Sequence, residues 1–204
     1  MANRVGSLGW AVGEATADPL VTDEAALVAR AKADRRAFAA LYRRYLTPVY
    51  RFCLLRLGDP HEAEDATSLV FQKALAALPG CRDDRFRSWL FAIAHHVVAD
   101  RHRDRARIDR PLRPLTDADR IADGVAGPEQ AAVGGDEARR LRALLAHLTH
   151  DQRAVVELRL AGLTDEEIGR TLGKRPGAVR AAQFRAIQKL RTLMPPEGTD
   201  DGPR

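Results

Sequence analysis

Cysteine is scarce in this chain: Cys53 and Cys81 are the only two among 204 residues. Two thiols cannot staple a fold of this length, so a reducing, cytoplasmic setting is expected rather than secretion. Aromatic residues make up only 5% of the sequence and no run of alternating β-branched residues stands out, which argues against a sheet-built core. Uninterrupted apolar runs fall short of the roughly 18–20 residues that a membrane span requires. The N-terminus has no basic region followed by an apolar core, so neither a signal peptide nor membrane insertion is expected. Enzyme signatures are missing too. There is no H-E-x-x-H, P-loop, G-x-S-x-G or Gly-rich dinucleotide fingerprint, and His61-Glu62-Ala63-Glu64-Asp65 lacks the second histidine of a zinc helix. Asp83-Asp84 stands between arginines and reads as a solvated loop rather than a catalytic pair. No catalytic residue, cofactor or metal is expected.

What is abundant is helix-forming: Ala, Leu, Arg and Glu dominate, which predicts an all-α protein. The net charge of +5 is unevenly spread. Residues 25–108 carry +7 and residues 136–194 carry +5, while residues 109–135 between them carry −2. Two compact basic blocks favour a polyanionic partner, nucleic acid above all. The spacer holds Pro111, Pro114, Gly124, Gly127, Pro128, Gly134 and Gly135, the composition of a flexible tether. The expected organisation is a mobile tail over 1–21, a helical domain over 22–107, a linker over 108–135, a four-helix domain over 136–194 and a tail over 195–204.

Within the first block, Asp23 and Asp34 are candidate caps for a short and then a longer helix, the second carrying Phe38, Leu41, Tyr45, Val49 and Phe52 at three-and-four spacing. Pro48 lies inside that helix and should bend it, because its ring removes a hydrogen bond; Gly58 should end it. Asp59-Pro60 opens the next helix as cap and first-turn proline, and Pro79-Gly80 stops it. A polar loop, Cys81 to Arg85, precedes a helix that begins with Phe86 and ends in arginines at 101, 103, 105 and 107.

The second block predicts helices from Asp136 and from Thr149 or His150, then a helix-turn-helix. Thr164 and Glu167 have capping-box spacing, with Leu163 and Ile168 as a hydrophobic staple. Gly173 supplies the residue tolerant of positive φ, and Pro176 the pre-set first turn of the last helix. Lys174, Arg175, Arg180, Arg185, Lys189 and Arg191 include no acid among them. With Val179, Ala182, Ala186, Leu190 and Leu193 as the buried stripe, Arg180, Ala181, Phe184 and Arg185 should point outward, where a recognition helix meets the major groove.

The order of these pieces resembles an extracytoplasmic-function (ECF) sigma factor of bacteria. The likeness rests on Leu41-Tyr42-Arg43-Arg44-Tyr45, Gly58-Asp59-Pro60 through Glu64-Asp65, Phe71-x-Lys73-Ala74, Phe86-Arg87-Ser88-Trp89-Leu90, Leu148-Thr149-x-Asp151-Gln152-Arg153, Glu157-Leu158-Arg159-Leu160 and Gly177-Ala178-Val179-Arg180. It implies binding to the clamp and flap of RNA polymerase core, promoter recognition and control by an anti-sigma factor. By motif position it assigns clamp binding to Asp65, Ser68, Leu69 and Gln72, although a Gln-Glu pair is usual where this chain has Ser68-Leu69. It assigns the minus-ten element to Arg82, Arg85, Phe86, Trp89, His95, His96, Arg101 and Arg103, with His95-His96 standing where Arg-Asn is usual. The minus-thirty-five element falls to Lys174, Arg175, Ala178, Arg180, Ala181, Phe184, Arg185 and Lys189. Here Ala181-Ala182-Gln183 replaces the usual Ser-Arg-Leu, which shifts weight toward phosphates and DNA shape.

Bland readings stand beside some of these. Trp89, with Leu90 and Ile93 at helical spacing, fits core packing better than base stacking. His95 and His96 diverge by about a hundred degrees on a helix and so make a poor metal pair. A stand-alone helix-turn-helix regulator is the alternative function, against which the first block offers neither a strand-helix alternation nor a ligand motif.

Overall fold

The computed structural model describes residues 21–108 and 136–193; the expected tails and linker lie outside them except for Val21 and Ile108, which belong to helices. Among the described residues every regular element is helical. α1 (Val21–Ala33), α2 (Phe38–Leu57), α3 (Pro60–Ala77) and α4 (Phe86–Ile108) form the first block; α5 (Asp136–Ala146), α6 (His150–Leu160), α7 (Asp165–Leu172) and α8 (Pro176–Leu193) form the second. The helix starts follow local chemistry. Asp34 accepts from the Arg36 amide and opens a single 3-10 turn that runs into α2, Gly58 closes α2 with φ of +79°, and Asp59 accepts from the Glu62 amide at the head of α3. Asp23 lies within α1 rather than at its cap.

Aromatic edges organise the first core. Phe52 meets Phe91 edge-on with ring centres 5.6 Å apart, and Tyr45 lies 5.5 Å from Phe86. Cys53 and Cys81 are free and buried, and burial pushes both thiols up to about 11, which keeps them protonated and inert.

The two blocks do not stand apart. Val155, Leu158, Leu163, Ile168, Val179 and Ala182 of the second share one continuous apolar core with the first, while Leu145, Leu148, Val156 and Ala186 form a smaller cluster beneath α5. α7 lies against α4, where the Thr171 hydroxyl donates to the Ser88 carbonyl at 3.0 Å. A second joint lies between α6 and α2, where the Glu157 carboxylate is buried between Arg153 at 2.8 Å on its own helix and Arg56 at 3.4 Å. Arg56 also donates to His95 Nδ1 at 2.9 Å. A carboxylate at 1% exposure is tolerable only because two guanidiniums meet it.

Candidate nucleic-acid interface

The helix-turn-helix closes through neighbours in sequence. Both arms of the capping box form: the Thr164 hydroxyl accepts from the Glu167 amide at 3.3 Å, and Glu167 accepts from the Thr164 amide at 2.7 Å. Gly173 takes φ of +64°, and the Lys174 amide then donates to the Gly169 carbonyl at 2.8 Å. Such a turn needs a residue without a Cβ penalty at positive φ. Leu163 and Ile168 are both fully buried, as a staple requires.

α8 then presents one face inward and one outward. Val179, Ala182 and Ala186 are buried; Arg175, Ala178, Arg180, Ala181, Phe184, Arg185 and Lys189 are exposed. Leu190 is half-buried and Leu193 exposed, so the expected apolar stripe fades over the last turns. Phe184, at 64% exposure, is the largest apolar group on the outward face. Lys174 is partly covered and bonds Asp151 at 2.7 Å; that hydrogen bond holds the Asp151 carboxyl below the usual carboxylate range, against a weaker opposing effect of burial. Arg159 of α6 contributes where no role was expected. It donates to Asp165, to the Leu163 carbonyl at 2.8 Å and to Gln183 at 3.4 Å, tying the start of α7 to α8, while Asp165 lies 3.9 Å from Arg180.

In the first block Arg82 and Arg85 are exposed and flank Asp84 at 3.4 and 3.7 Å, whereas Asp83 turns back onto Lys32 at 2.7 Å. Phe86 corrects the expectation of direct DNA contact. It is fully buried between Tyr45 and Trp89, so it supports the loop from below and offers no surface to a strand. Trp89 is half-buried and packed on the core, its ring 5.7 Å from Phe86. His95 faces Arg56 and the ring of His150 rather than open solvent; burial first, then Arg56, His150 and His96, lower its pKa to about 4. His96 is exposed, Arg101 is half-buried, and Arg103 is exposed and paired with Asp100. Along α3, Asp65, Ser68 and Gln72 form an exposed row while Leu69 is half-buried against the core.

No group of three His, Cys, Asp or Glu among the described residues could hold a metal ion, and no described helix is long and apolar enough to cross a membrane.

Comparison with known proteins matches the same two blocks. The family model for sigma-70 region 2 covers residues 41–108, and that for sigma-70 region 4 covers residues 138–190. The chain is 41% identical over 154 residues to the ECF RNA polymerase sigma factor ShbA of Streptomyces griseus, spanning 70% of this chain and 80% of that one. It is 38% identical over 174 residues to the ECF sigma factor SigD of Mycobacterium tuberculosis, spanning 81% of each. Among solved structures, CnrH in complex with the cytosolic domain of CnrY superposes with a TM-score of 0.62 at 26% identity, over 83% of this chain and 96% of that one. The sigma factor RpoE of Bartonella quintana shares the fold, with a TM-score of 0.56 at 20% identity over 76% and 95%. With both sigma-70 regions present in order and relatives matched over four fifths of their length, the chain belongs to the ECF sigma factors, non-enzymatic subunits that bind bacterial RNA polymerase core and direct transcription initiation at promoters.

Proposed function

We propose that α8 reads the minus-thirty-five element, that the loop before α4 and the outward residues of α4 engage the opened minus-ten strand, and that the Asp65–Ser68–Gln72 row of α3 meets the polymerase clamp. The observation that carries this reading is the cationic surface of α8 and the turn before it: Lys174 and Arg175 in the turn and Arg180, Arg185, Lys189 and Arg191 on the helix, all exposed or half-exposed, with no acid on the helix itself. Arg180 lies in the first turns, where a recognition helix approaches base edges, and Lys189 lies farther along, where side chains meet phosphates. The protein works in the cytoplasm on this reading, alongside core polymerase and promoter DNA. A regulatory partner of anti-sigma type is part of the proposal: CnrH was solved with the cytosolic domain of CnrY, and RpoE of Bartonella quintana with the anti-sigma factor NepR.

The test is binding of Arg180→Ala and Lys189→Ala to a library of upstream duplexes at several salt concentrations. Loss of a bidentate base contact at Arg180 should cost about 1–3 kcal/mol and relax preference at one base pair. Loss of Lys189 should weaken all sequences alike and reduce the salt slope by about one. Unchanged affinity in both variants would remove α8 from the DNA.

A further inference from the structure

The loop between α3 and α4 has little scaffolding of its own. Its backbone is tied locally by the Cys81 amide to the Leu78 carbonyl and the Arg85 amide to the Arg82 carbonyl, both at 3.0 Å, and Arg82 supplies no side-chain cap. Phe86 lies beneath it and the Ser88 hydroxyl donates to the Arg85 carbonyl at 3.1 Å, but the side chains that grip both its ends come from α1, which lies outside the stretch matched by the region 2 family model. Lys32 pairs with Asp83 at 2.7 Å and donates to the Cys81 carbonyl, gripping the entry to the loop. Glu24, two turns earlier on the same helix, accepts from the Arg87 amide at 3.3 Å, just past the exit. Tyr45 donates to the other Glu24 oxygen, and burial together with that carboxylate keeps the phenol protonated as a donor. Val28 and Ala31, buried between the two side chains, seat this face of α1 on the core.

The pairing also sorts the charges of the loop. Arg82 and Arg85 share the exposed Asp84, whereas Asp83 is drawn away from that surface by Lys32. Without Lys32, a second carboxylate would be free to turn toward a phosphate backbone and repel it.

We propose that Lys32 and Glu24 are positioning residues for minus-ten recognition: they clamp the two ends of the loop from α1, set the directions of Arg82 and Arg85, and keep Asp83 off the DNA side. This rests on reading that loop as the minus-ten site. The groups touch the loop, not the strand, so their loss should alter base preference while core binding and upstream binding stay as they were.

The experiment uses the full chain assembled with core polymerase. Binding to single-stranded minus-ten oligonucleotides, varied one base at a time, is measured for Lys32→Ala, Lys32→Arg and the charge exchange Lys32→Asp with Asp83→Lys. Lys32→Ala should reduce discrimination at the preferred base about tenfold, the low end expected for losing a half-exposed charge-assisted contact. Lys32→Arg should recover most of it, and the exchange, which restores the ion pair but no donor to the Cys81 carbonyl, part of it; a general weakening of the fold would permit neither. Should Lys32→Ala prove unfolded by circular dichroism, Asp83→Asn breaks the ion pair without unseating α1; it leaves the Lys32 contact to the Cys81 carbonyl and puts no carboxylate on the DNA side, so it should show a smaller loss of discrimination. Full discrimination in whichever of these variants is folded, or loss without recovery by Lys32→Arg, overturns the proposal. Arg82→Ala with Arg85→Ala serves to separate the two readings: if that variant binds the oligonucleotides normally, the loop is not the minus-ten site, whereas if it fails while Lys32→Ala discriminates normally, only the clamp from α1 is wrong.

Discussion

The helix-turn-helix is closed by groups within a few residues of one another, Thr164 with Glu167 and Gly173 beside the Gly169 carbonyl, whereas the loop before α4 is gripped by Lys32, 49 positions upstream of the carbonyl it holds. The turn of the first surface is therefore closed by its own backbone chemistry, although its helices pack on the shared core. The second exists only once α1, α2 and α4 have packed. A local motif of this kind survives changes elsewhere in the molecule; a surface assembled from distant side chains fails with the packing that assembles it.

The largest effect should come from breaking the joint on which both regions rest. Arg56→Ala leaves the buried Glu157 carboxylate with Arg153 alone, and removal of one partner from a buried pair typically costs about 3–5 kcal/mol. Denaturant unfolding followed separately by tryptophan fluorescence, in a Trp10→Phe background so that Trp89 alone reports, and by far-ultraviolet circular dichroism should show coincident transitions with Arg56 in place and separated ones in the variant. Coincident, unshifted curves for Arg56→Ala would mean that the blocks are not coupled through this pair.

A smaller effect isolates the locally closed turn. Thr164→Ala removes one arm of the capping box and should cost about 1 kcal/mol in the same unfolding measurement. Thr164→Ser should recover it. Minus-ten oligonucleotide binding should be indifferent to both, and a clear change there would blur the distinction between local and assembled surfaces.

The pH effect is the finest. His95 is neutral in the fold, with its pKa lowered from 6.5 to about 4 by burial, by Arg56 and by the neighbouring His150 and His96. In the unfolded chain it takes up a proton as pH falls below about 6.5, so the unfolded state binds more protons in that window and stability is lost from about pH 6.5 down toward 4. Above that window this residue contributes no slope. His95→Gln, which keeps an acceptor for Arg56 without a titrating ring, should flatten the stability profile between those values; an unchanged slope would assign it to other groups.

Much of this architecture is legible in the sequence where the causal residues are close together. Capping at Asp34, Asp59, Thr149 and Thr164, the glycine stops at 58 and 173, and the exposed face of α8 follow from spacing alone. Phe86 went astray because a motif position does not reveal whether a ring points into a core or out of it, and burial was decided by Tyr45 on another helix. Arg56 and Glu157 sit inside apolar runs on opposite sides of the linker, and nothing in either run signals the other. Lys32 and Glu24 were unreadable for the same reason, each acting on a partner brought near only by tertiary packing, as was the reach of Arg159 to Gln183; its contacts to the Leu163 carbonyl and Asp165 are close in sequence, but no spacing motif marks them.

The 3.0 Å hydrogen bond between Thr171 and Ser88 also measures something. On the reading proposed above, it joins the helix that precedes the minus-thirty-five reader to the helix that carries the minus-ten reader. Elements named for positions ten and thirty-five are about 25 base pairs apart, or roughly 85 Å of duplex at about 3.4 Å per step. Two blocks that share one core, in a compact chain with a radius of gyration of roughly 15 Å, do not bridge that interval while packed together. Residues 109–135, drawn out fully, reach roughly 90 Å, so the chain between the blocks has about the length needed to let them part and span that interval.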